Sequence, residues 1–353
     1  MRESRTGGPL KRDGWTMTAF ERFRNRLRGE AVDRPPNFDI VMAFAVHYLG
    51  QPLSRYYRDY RVLAEANLAV IEAFGLDIAQ TISDPYREAA DWGLEIEYPE
   101  DGLLLRKRPL ISDPSDLARL RPPDPRSGRR MSDRLEAIRY LRGRLGGEVP
   151  IMGWVEGALA EANVLRGDTA LMTDLYDQPE WVAELLDLCA GVEIEFARAQ
   201  VEAGADIIGL GDAIASQVSP RMYQEFALPH EKRIFEAVHE MGAVARLHIC
   251  GNTTRLLPLM SETGAEIVDL DWMVDLHAAT TCFGNDGPAI CGNFDPVAVM
   301  LRGNPALVRE SAVRCVRDGG KRSFSAAGCE IPDGTPLENL LAHTQALRSL
   351  GLS

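Results

Sequence analysis

The sequence has little of what marks a secreted, membrane-spanning or nucleic-acid-binding protein. Cysteine is sparse, six residues in a chain of 353. With no charged-then-apolar leader, this argues against a secreted disulfide scaffold and for a reducing compartment in which thiols stay free to pack or to bind metal. Long apolar runs are missing as well. The stretches near Ile40 and Ile207 are broken by Asp, His or Gly within a few positions, well short of the roughly 18 residues of a membrane span. Basic residues are outnumbered, 39 Lys and Arg against 52 Asp and Glu for a net charge of −13. They are scattered rather than gathered in a stripe, so the footprint of a polyanion-binding surface is absent. Neither an internal repeat nor a low-complexity segment is found. These absences predict a cytoplasmic protein without nucleic-acid or membrane partners.

What is present is a repeated alternation of short apolar runs and longer helical patterns, the signature of a parallel sheet. Eight runs can be read: Phe38–Met42, Ile78–Ile82, Ile151–Trp154, Ile207–Leu210, Val244–His248, Ile267–Leu270, Ala289–Gly292 and Phe324–Ala327. Eight such units predict a closed α/β barrel of the TIM type, and the chain length suits one barrel domain over residues 17–353. Residues 1–16, basic and without apolar period, are expected to be a flexible extension. Phe20, Phe23 and Leu27 after Met17 predict a helix. The stretch Leu94–Leu110, with its Pro-Glu-Asp-Gly turn, predicts a β-hairpin insertion, and the Pro-rich Arg121–Arg130 a surface connection.

In a parallel barrel the reactive groups stand at the C-terminal ends of the strands. Here those ends are polar: Ser83 and Asp84, Glu156, Asp212, His248 and Cys250, Asp269 and Asp271, Asn293, and Cys329 with Glu330. His248 and Cys250 are two apart on an extended segment, so both project to one side and can share an ion. Cys329 ends the eighth run, where barrel closure can bring it near. One imidazole and two thiolates suit Zn²⁺, and three protein ligands with a fourth position open describe a catalytic rather than a structural zinc. A structural site would show paired Cys-x2-Cys spacing, which is missing. The competing reading makes such residues core cysteines and a hydrogen-bonded histidine. Water or substrate, Asp271, Glu156 and Asp212 compete for the fourth position, and the three acids are the candidate catalytic carboxylates. For Glu156 and Glu161 the plain alternative is a helix-start carboxylate. Cys189, Cys282, Cys291 and Cys315 are expected to pack, His47 to be polar filler at the mouth, His230 and His239 to be structural, and His277 to be an ordinary helix-start residue.

Several stretches resemble the uroporphyrinogen decarboxylase superfamily: Met17-Thr-Ala-Phe-Glu-Arg-Phe, Gly29-Glu-Ala-Val-Asp-Arg-Pro35, Ser219-Pro-Arg-Met-Tyr-Gln-Glu-Phe-Ala-Leu-Pro229, Gly292-Asn-Phe-Asp-Pro296 and Thr335-Pro-Leu-Glu-Asn339. Within it, His248-Ile-Cys-Gly-Asn252 and Gly328-Cys-Glu-Ile-Pro332 resemble the zinc-binding segments of the corrinoid-linked methyltransferase branch. The resemblance implies a TIM-type barrel and a zinc-dependent enzyme moving a methyl group between a corrinoid and a thiol or other small donor or acceptor. The segment Asp275-Leu-His277-Ala-Ala-Thr280 lacks the glycine of a corrinoid-binding motif, so the corrinoid is expected on a separate carrier protein. Two departures matter. Ile40-Val-Met-Ala-Phe-Ala-Val-His47 has none of the arginines by which the decarboxylases hold a tetrapyrrole, and Gly153-Trp-Val-Glu156 replaces the Gly-Pro-Phe-Thr typical of coenzyme M enzymes. A tetrapyrrole decarboxylase and a non-catalytic scaffold are the alternative readings.

Overall fold

The strands follow from alternation: residues two apart face either the barrel interior or the surrounding helices. A computed structural model describes residues 16–351; the predicted extension at 1–16 lies outside them except for Thr16. In chain order the strands are β1 (Ala79–Gln80), β2 (Ile96–Glu97), β3 (Leu105–Arg106), β4 (Ile151–Glu156), β5 (Ile207–Gly211), β6 (Val244–His248), β7 (Ile267–Asp269) and β8 (Ala289–Cys291). Six of them form a parallel sheet in the order β1-β4-β5-β6-β7-β8. Backbone contacts of the first and eighth predicted runs close the ring. Asp77 donates to the Asn37 carbonyl, Phe38 to Ser325, Ser325 to Pro36 and Phe324 to Ile290, with parallel bridges at Asn37–Ser325 and Cys291–Phe324. The molecule is a TIM-type (β/α)8 barrel.

The terminal runs differ from expectation in extent. Run one pairs at Asn37, one residue before its predicted start, and its remainder is irregular. Pro35 and Pro36 have no N–H for the ladder, and the chain enters the helix Ala43–Tyr48 directly after Met42. Run eight pairs only through isolated bridges at Phe324, Ser325 and Ala327. The third run extends past Trp154, so Glu156 is the last residue of β4 and not a helix-start residue; the following helix, Ala158–Arg166, carries Glu161 in its first turn.

Two apolar layers follow from the alternation. The interior holds Phe38, Ile40, Ile78, Met152, Trp154, Ile207, Ile267, Cys291 and Phe324. The strand–helix layer holds Val155, Ile208, Leu210, Leu247, Val268 and Ile290. The helix Ala19–Leu27, started by a Thr18/Glu21 capping box, places Phe23 against Phe38 and Phe324 at centroid distances of 5.9 and 6.1 Å, which seals the barrel floor. Strands β2 and β3 pair antiparallel with Ile96 opposite Arg106. Their turn folds back onto the segment after run one, where Asp101 accepts from the Leu53 amide at 2.9 Å and meets His47 Nε2 at 3.0 Å. Three of the four cysteines assigned to packing are buried, but Cys282 is exposed, because it lies on the outer side of the helix Leu276–Phe283, whose inner positions are Leu276, Ala279 and Phe283.

Candidate metal centre

His248 is the last residue of β6 and faces the interior, two places beyond the inward-facing Arg246. Its tautomer is set from below. Nδ1 lies 2.8 Å from Asp269 Oδ2, and the other carboxylate oxygen accepts from Arg246 Nε at 2.8 Å. Asp269 stands opposite His248 in the sheet register. Burial would raise its pKa, but Arg246 and His248 together hold it below the ordinary carboxylate value. An ionised acceptor at Nδ1 leaves Nε2 as the liganding nitrogen, the arrangement common for metal-bound histidines.

Nε2 points at the two thiols. It lies 3.1 Å from Cys250 Sγ and 3.8 Å from Cys329 Sγ, and the sulfurs are 3.5 Å apart. A tetrahedral zinc with ordinary bond lengths separates two sulfurs by about 3.8 Å and a nitrogen from each sulfur by about 3.5 Å. The donor set therefore fits the ion in chemistry and in spacing. Among the described residues, these three form the group whose ligand atoms fall within 4.8 Å of one another. The thiols are unequal. Hydrogen bonding to Cys250 and to His248 pulls Cys329 down to about 4, whereas the same sulfur–sulfur contact and burial push Cys250 up. Cys329 reaches the site because Gly328 lies against the neighbouring loop: a Cβ there would come within 2.4 Å of the Trp272 amide nitrogen.

The three candidate acids have different positions. Asp271 lies beside the cluster, but both of its oxygens are engaged, accepting from the Gly251 and Trp272 amides at 2.7 Å each; it braces the loop that carries Cys250. Asp212 is fully buried and apart from the ligands. Its carboxyl packs over Gly157 and its amide donates to the His248 carbonyl at 3.0 Å. Burial, then Glu231 and Glu156, push its pKa well up. Glu156 shares one row of the sheet with Gly211, His248 and Asp269, two strands from His248 or about 10 Å at ordinary strand spacing. It accepts from Arg87 at 2.9 Å and from the Trp154 indole at 3.1 Å. Burial, opposed by Arg87, raises it to about 7. The Trp154 ring also packs on His248, with centroids 5.9 Å apart. The space it fills exists because Gly211 has no side chain: a Cβ there would meet the indole at 2.7 Å.

Several site residues were not read from the sequence. Arg87, Asp269 in its orienting role, Arg246 and the buried glutamates Glu88 and Glu193 belong to this group. The available signal was charge on an apolar face: Glu193 follows Cys189 by four positions and precedes Phe196 by three on the buried stripe of the helix Pro179–Ala203. Glu330, noted only as a strand-end residue, accepts from the Ala43 amide at 3.1 Å, and burial raises it to about 7.

A TIM barrel that gathers one imidazole and two thiols at its mouth defines a class of barrel with a candidate metal site. Residues 18–350 match the family model described as uroporphyrinogen decarboxylase (URO-D), and the chain belongs to that family. It is 32% identical over 334 residues to a methylcobamide:CoM methyltransferase, MtbA, of Methanosarcina acetivorans, covering 92% of this chain and 95% of the relative. A uroporphyrinogen decarboxylase of Syntrophotalea carbinolica is 31% identical, covering 82% of this chain and 85% of the relative. A solved methyltransferase from Methanosarcina mazei superposes with a TM-score of 0.86 at 26% identity, covering 94% of this chain and 98% of that one. The chain is an enzyme of the methyltransferase kind within this family. No helix among the described residues is long and apolar enough to cross a membrane.

Proposed function

We propose that this chain is a zinc-dependent methyltransferase, one barrel domain over residues 17–353, that moves a methyl group between a corrinoid on a separate carrier protein and a small thiol or other methyl donor or acceptor. The observation that carries the reading is the convergence of His248 Nε2, Cys250 Sγ and Cys329 Sγ at zinc-like spacing. Zinc bound there would act as a Lewis acid that lowers the proton affinity of a thiol at the open fourth position.

The chain's own residues supply the rest. Asp269 fixes the His248 ring, and Asp271 holds the Gly251 amide and thereby the loop of Cys250. Glu156, facing the mouth and held by Arg87 and Trp154, exchanges the proton that a thiol loses when methylated or that a departing heteroatom gains when demethylated. Asp212 touches no ligand atom, and with burial pushing its pKa well up its carboxyl packs as a neutral group over Gly157. Trp272 and Met273, 50% and 40% exposed beside Asp271, leave apolar surface on the rim of the kind that a carrier protein covers.

The purified protein is expected to hold about one zinc per chain. His248→Ala and Cys329→Ala are each expected to lose the metal, and with it methyl transfer from methylcobalamin to a small thiol. Full transfer by metal-free protein would refute the reading. The decarboxylase relatives give the alternative its standing, tested by carbon dioxide release from uroporphyrinogen. Against it, Arg87 is paired with Glu88 and Glu156, and Arg130 with Asp84, so neither guanidinium faces the mouth as a free anchor for substrate carboxylates.

A further inference from the structure

His47 is a histidine that the chemistry at His248, Cys250 and Cys329 does not use. It lies in the last turn of the helix Ala43–Tyr48, which starts where run one ends at the barrel mouth. Two Asp-Gly turns from distant parts of the chain meet it. Asp101 stands at the tip of the hairpin insertion, in Pro99-Glu100-Asp101-Gly102, and Asp333 in Pro332-Asp333-Gly334, four residues after Cys329. Asp101 Oδ1 lies 3.0 Å from Nε2, and Asp333 Oδ2 lies 3.0 Å from Nδ1.

A neutral imidazole carries one N–H, so with a carboxylate at each nitrogen it would set a lone pair against one of them. The imidazolium carries two and satisfies both. The double contact therefore calls for the charged form. Burial by itself would lower the pKa of His47, but Asp333 and Asp101 outweigh it and hold it above the ordinary histidine value. The neighbouring elements direct their charges elsewhere. Arg55 bonds to Gln51 and Asp59, Arg58 lies over Tyr98, and the helix Tyr60–Phe74 meets this one through Phe74 against Phe44 and Tyr48. Glu330 accepts from the Ala43 amide at the opposite end of the helix.

The two arms are held unequally. Asp101 also accepts from the Leu53 amide at 2.9 Å, and the Glu100 carbonyl accepts from the Ser54 amide at 2.8 Å, so the hairpin tip is docked without the histidine. The turn after Cys329 is closed on itself instead. The Thr335 amide and hydroxyl both donate to the Pro332 carbonyl, and Gly334 bends the chain at a φ of 77°. Its backbone tie to the barrel, Ile331 donating to the Ile40 carbonyl at 2.8 Å, comes before the turn begins. Among the described residues, the charged contact that fastens the turn to the rim is Asp333 on His47.

We propose that His47 is a proton-dependent clasp on the barrel mouth: as imidazolium it ties the turn after Cys329 to the docked hairpin tip, and as neutral imidazole it keeps Asp101 and releases Asp333. A histidine whose folded value is raised keeps its contacts fully below the unfolded value and loses them as the pH rises through the folded one. The clasp is thus closed on the acid side of the His47 midpoint and open on the alkaline side. Opening loosens the mouth beside Cys329, on the side of the eighth run, and leaves the side of β6 as it is.

The test is solution NMR of the full chain. In a ring-nitrogen titration, with His47→Gln assigning the His47 signals, the midpoint is expected above the ordinary value of about 6.5. Asp333→Asn and Asp101→Asn should each lower it by roughly 0.5–1 pH unit, as for the loss of a partly exposed carboxylate partner. The backbone amides of Asp333 and Gly334 are expected to have order parameters of about 0.85 one unit below the midpoint, falling toward about 0.6 one unit above it. The Asp101 amide should stay ordered at both values, and in His47→Gln the turn should be mobile at both. A midpoint unmoved by Asp333→Asn overturns the clasp. So does a turn equally ordered on both sides of the midpoint, which would leave a passive surface pair, and so does release of the hairpin tip in its place. These measurements need neither metal nor turnover, so they stand apart from the function proposed above.

Discussion

Asp269 determines which nitrogen of His248 is left facing the two thiols. Its two oxygens are divided between Arg246 and His248 Nδ1, each at 2.8 Å, and Arg246 is in turn held beneath by Phe38, its guanidinium carbon 5.5 Å from the ring centroid. The chain of contacts runs from the barrel floor to His248, so the imidazole is held in place by the protein itself. Replacing a partner of this kind typically costs tenfold to a hundredfold in metal affinity. Asp269→Asn is therefore expected to weaken zinc by about that range in a competition titration with a chromogenic chelator, while the fold persists. Unchanged affinity would show that the His248 ring is oriented by the thiols alone.

At the scale of elements, the layer between strands and helices carries acids where apolar residues are usual. Glu231, on the helix Leu228–Glu240, is raised to about 7 from 4.5 by burial, against the pull of the Tyr223 hydroxyl. A carboxyl whose folded value exceeds its unfolded value leaves stability fully present below about pH 4.5 and lost as the pH rises through about 7. At roughly 1.4 kcal/mol per unit, the loss for this group amounts to about 3 kcal/mol. The wild type is expected to lose unfolding free energy between about pH 5 and pH 8, and Glu231→Gln, which cannot ionise, to lose about 3 kcal/mol less, as read from urea unfolding at both values. Parallel curves for the two proteins would mean that Glu231 stays neutral, or is solvated, throughout. The same logic applies to Glu161 and Glu193, both fully buried and pushed well up by burial: in the neutral form they behave as large, weakly polar core residues.

For the whole molecule the decisive event is ring closure, and it is fastened from an unexpected place. His343, on the C-terminal helix Leu337–Ser349, joins Asp39 of the first run at 2.7 Å and Ser325 of the eighth at 2.8 Å, while Asp39 also accepts from the Ala327 amide at 2.9 Å. The set has the residue types of a nucleophilic triad, but all three are buried, Ser325 and His343 completely, and what they do is hold the last helix across the seam of the barrel. His343→Ala would leave two buried partners unsatisfied and a cavity between them, an expected loss of about 2–5 kcal/mol in chemical denaturation. Because Cys329 follows this seam by four residues, the zinc content of the variant should fall as well. Normal zinc at reduced stability would separate the seam from the site.

The sequence by itself determined the eight runs, the chain positions of the mouth residues and the choice of His248, Cys250 and Cys329 as the soft donors that the fold brings together, because side-chain alternation along a strand and the softness of imidazole and thiolate are local properties. It also located Asp271 and Glu156 at strand ends. It left open how far each run would pair, since the pairing of Asn37 and Ser325 depends on two segments nearly the whole chain apart, and it misjudged Cys282, whose exposure depends on how its helix is turned against the barrel. Only the tertiary structure decided that Asp271 braces a loop with both oxygens, that Asp212 stands apart from His248, Cys250 and Cys329, and that Asp269 is the partner of His248. The acids behind Glu156 were likewise invisible as a group, because Glu88, Glu156, Glu161 and Glu193 come from three helices and a strand. Their shared burial and repulsion exist only after the barrel has packed its helices around β4, which is also why the His248, Cys250 and Cys329 cluster could be read from two short segments while the buried acids beside it could not.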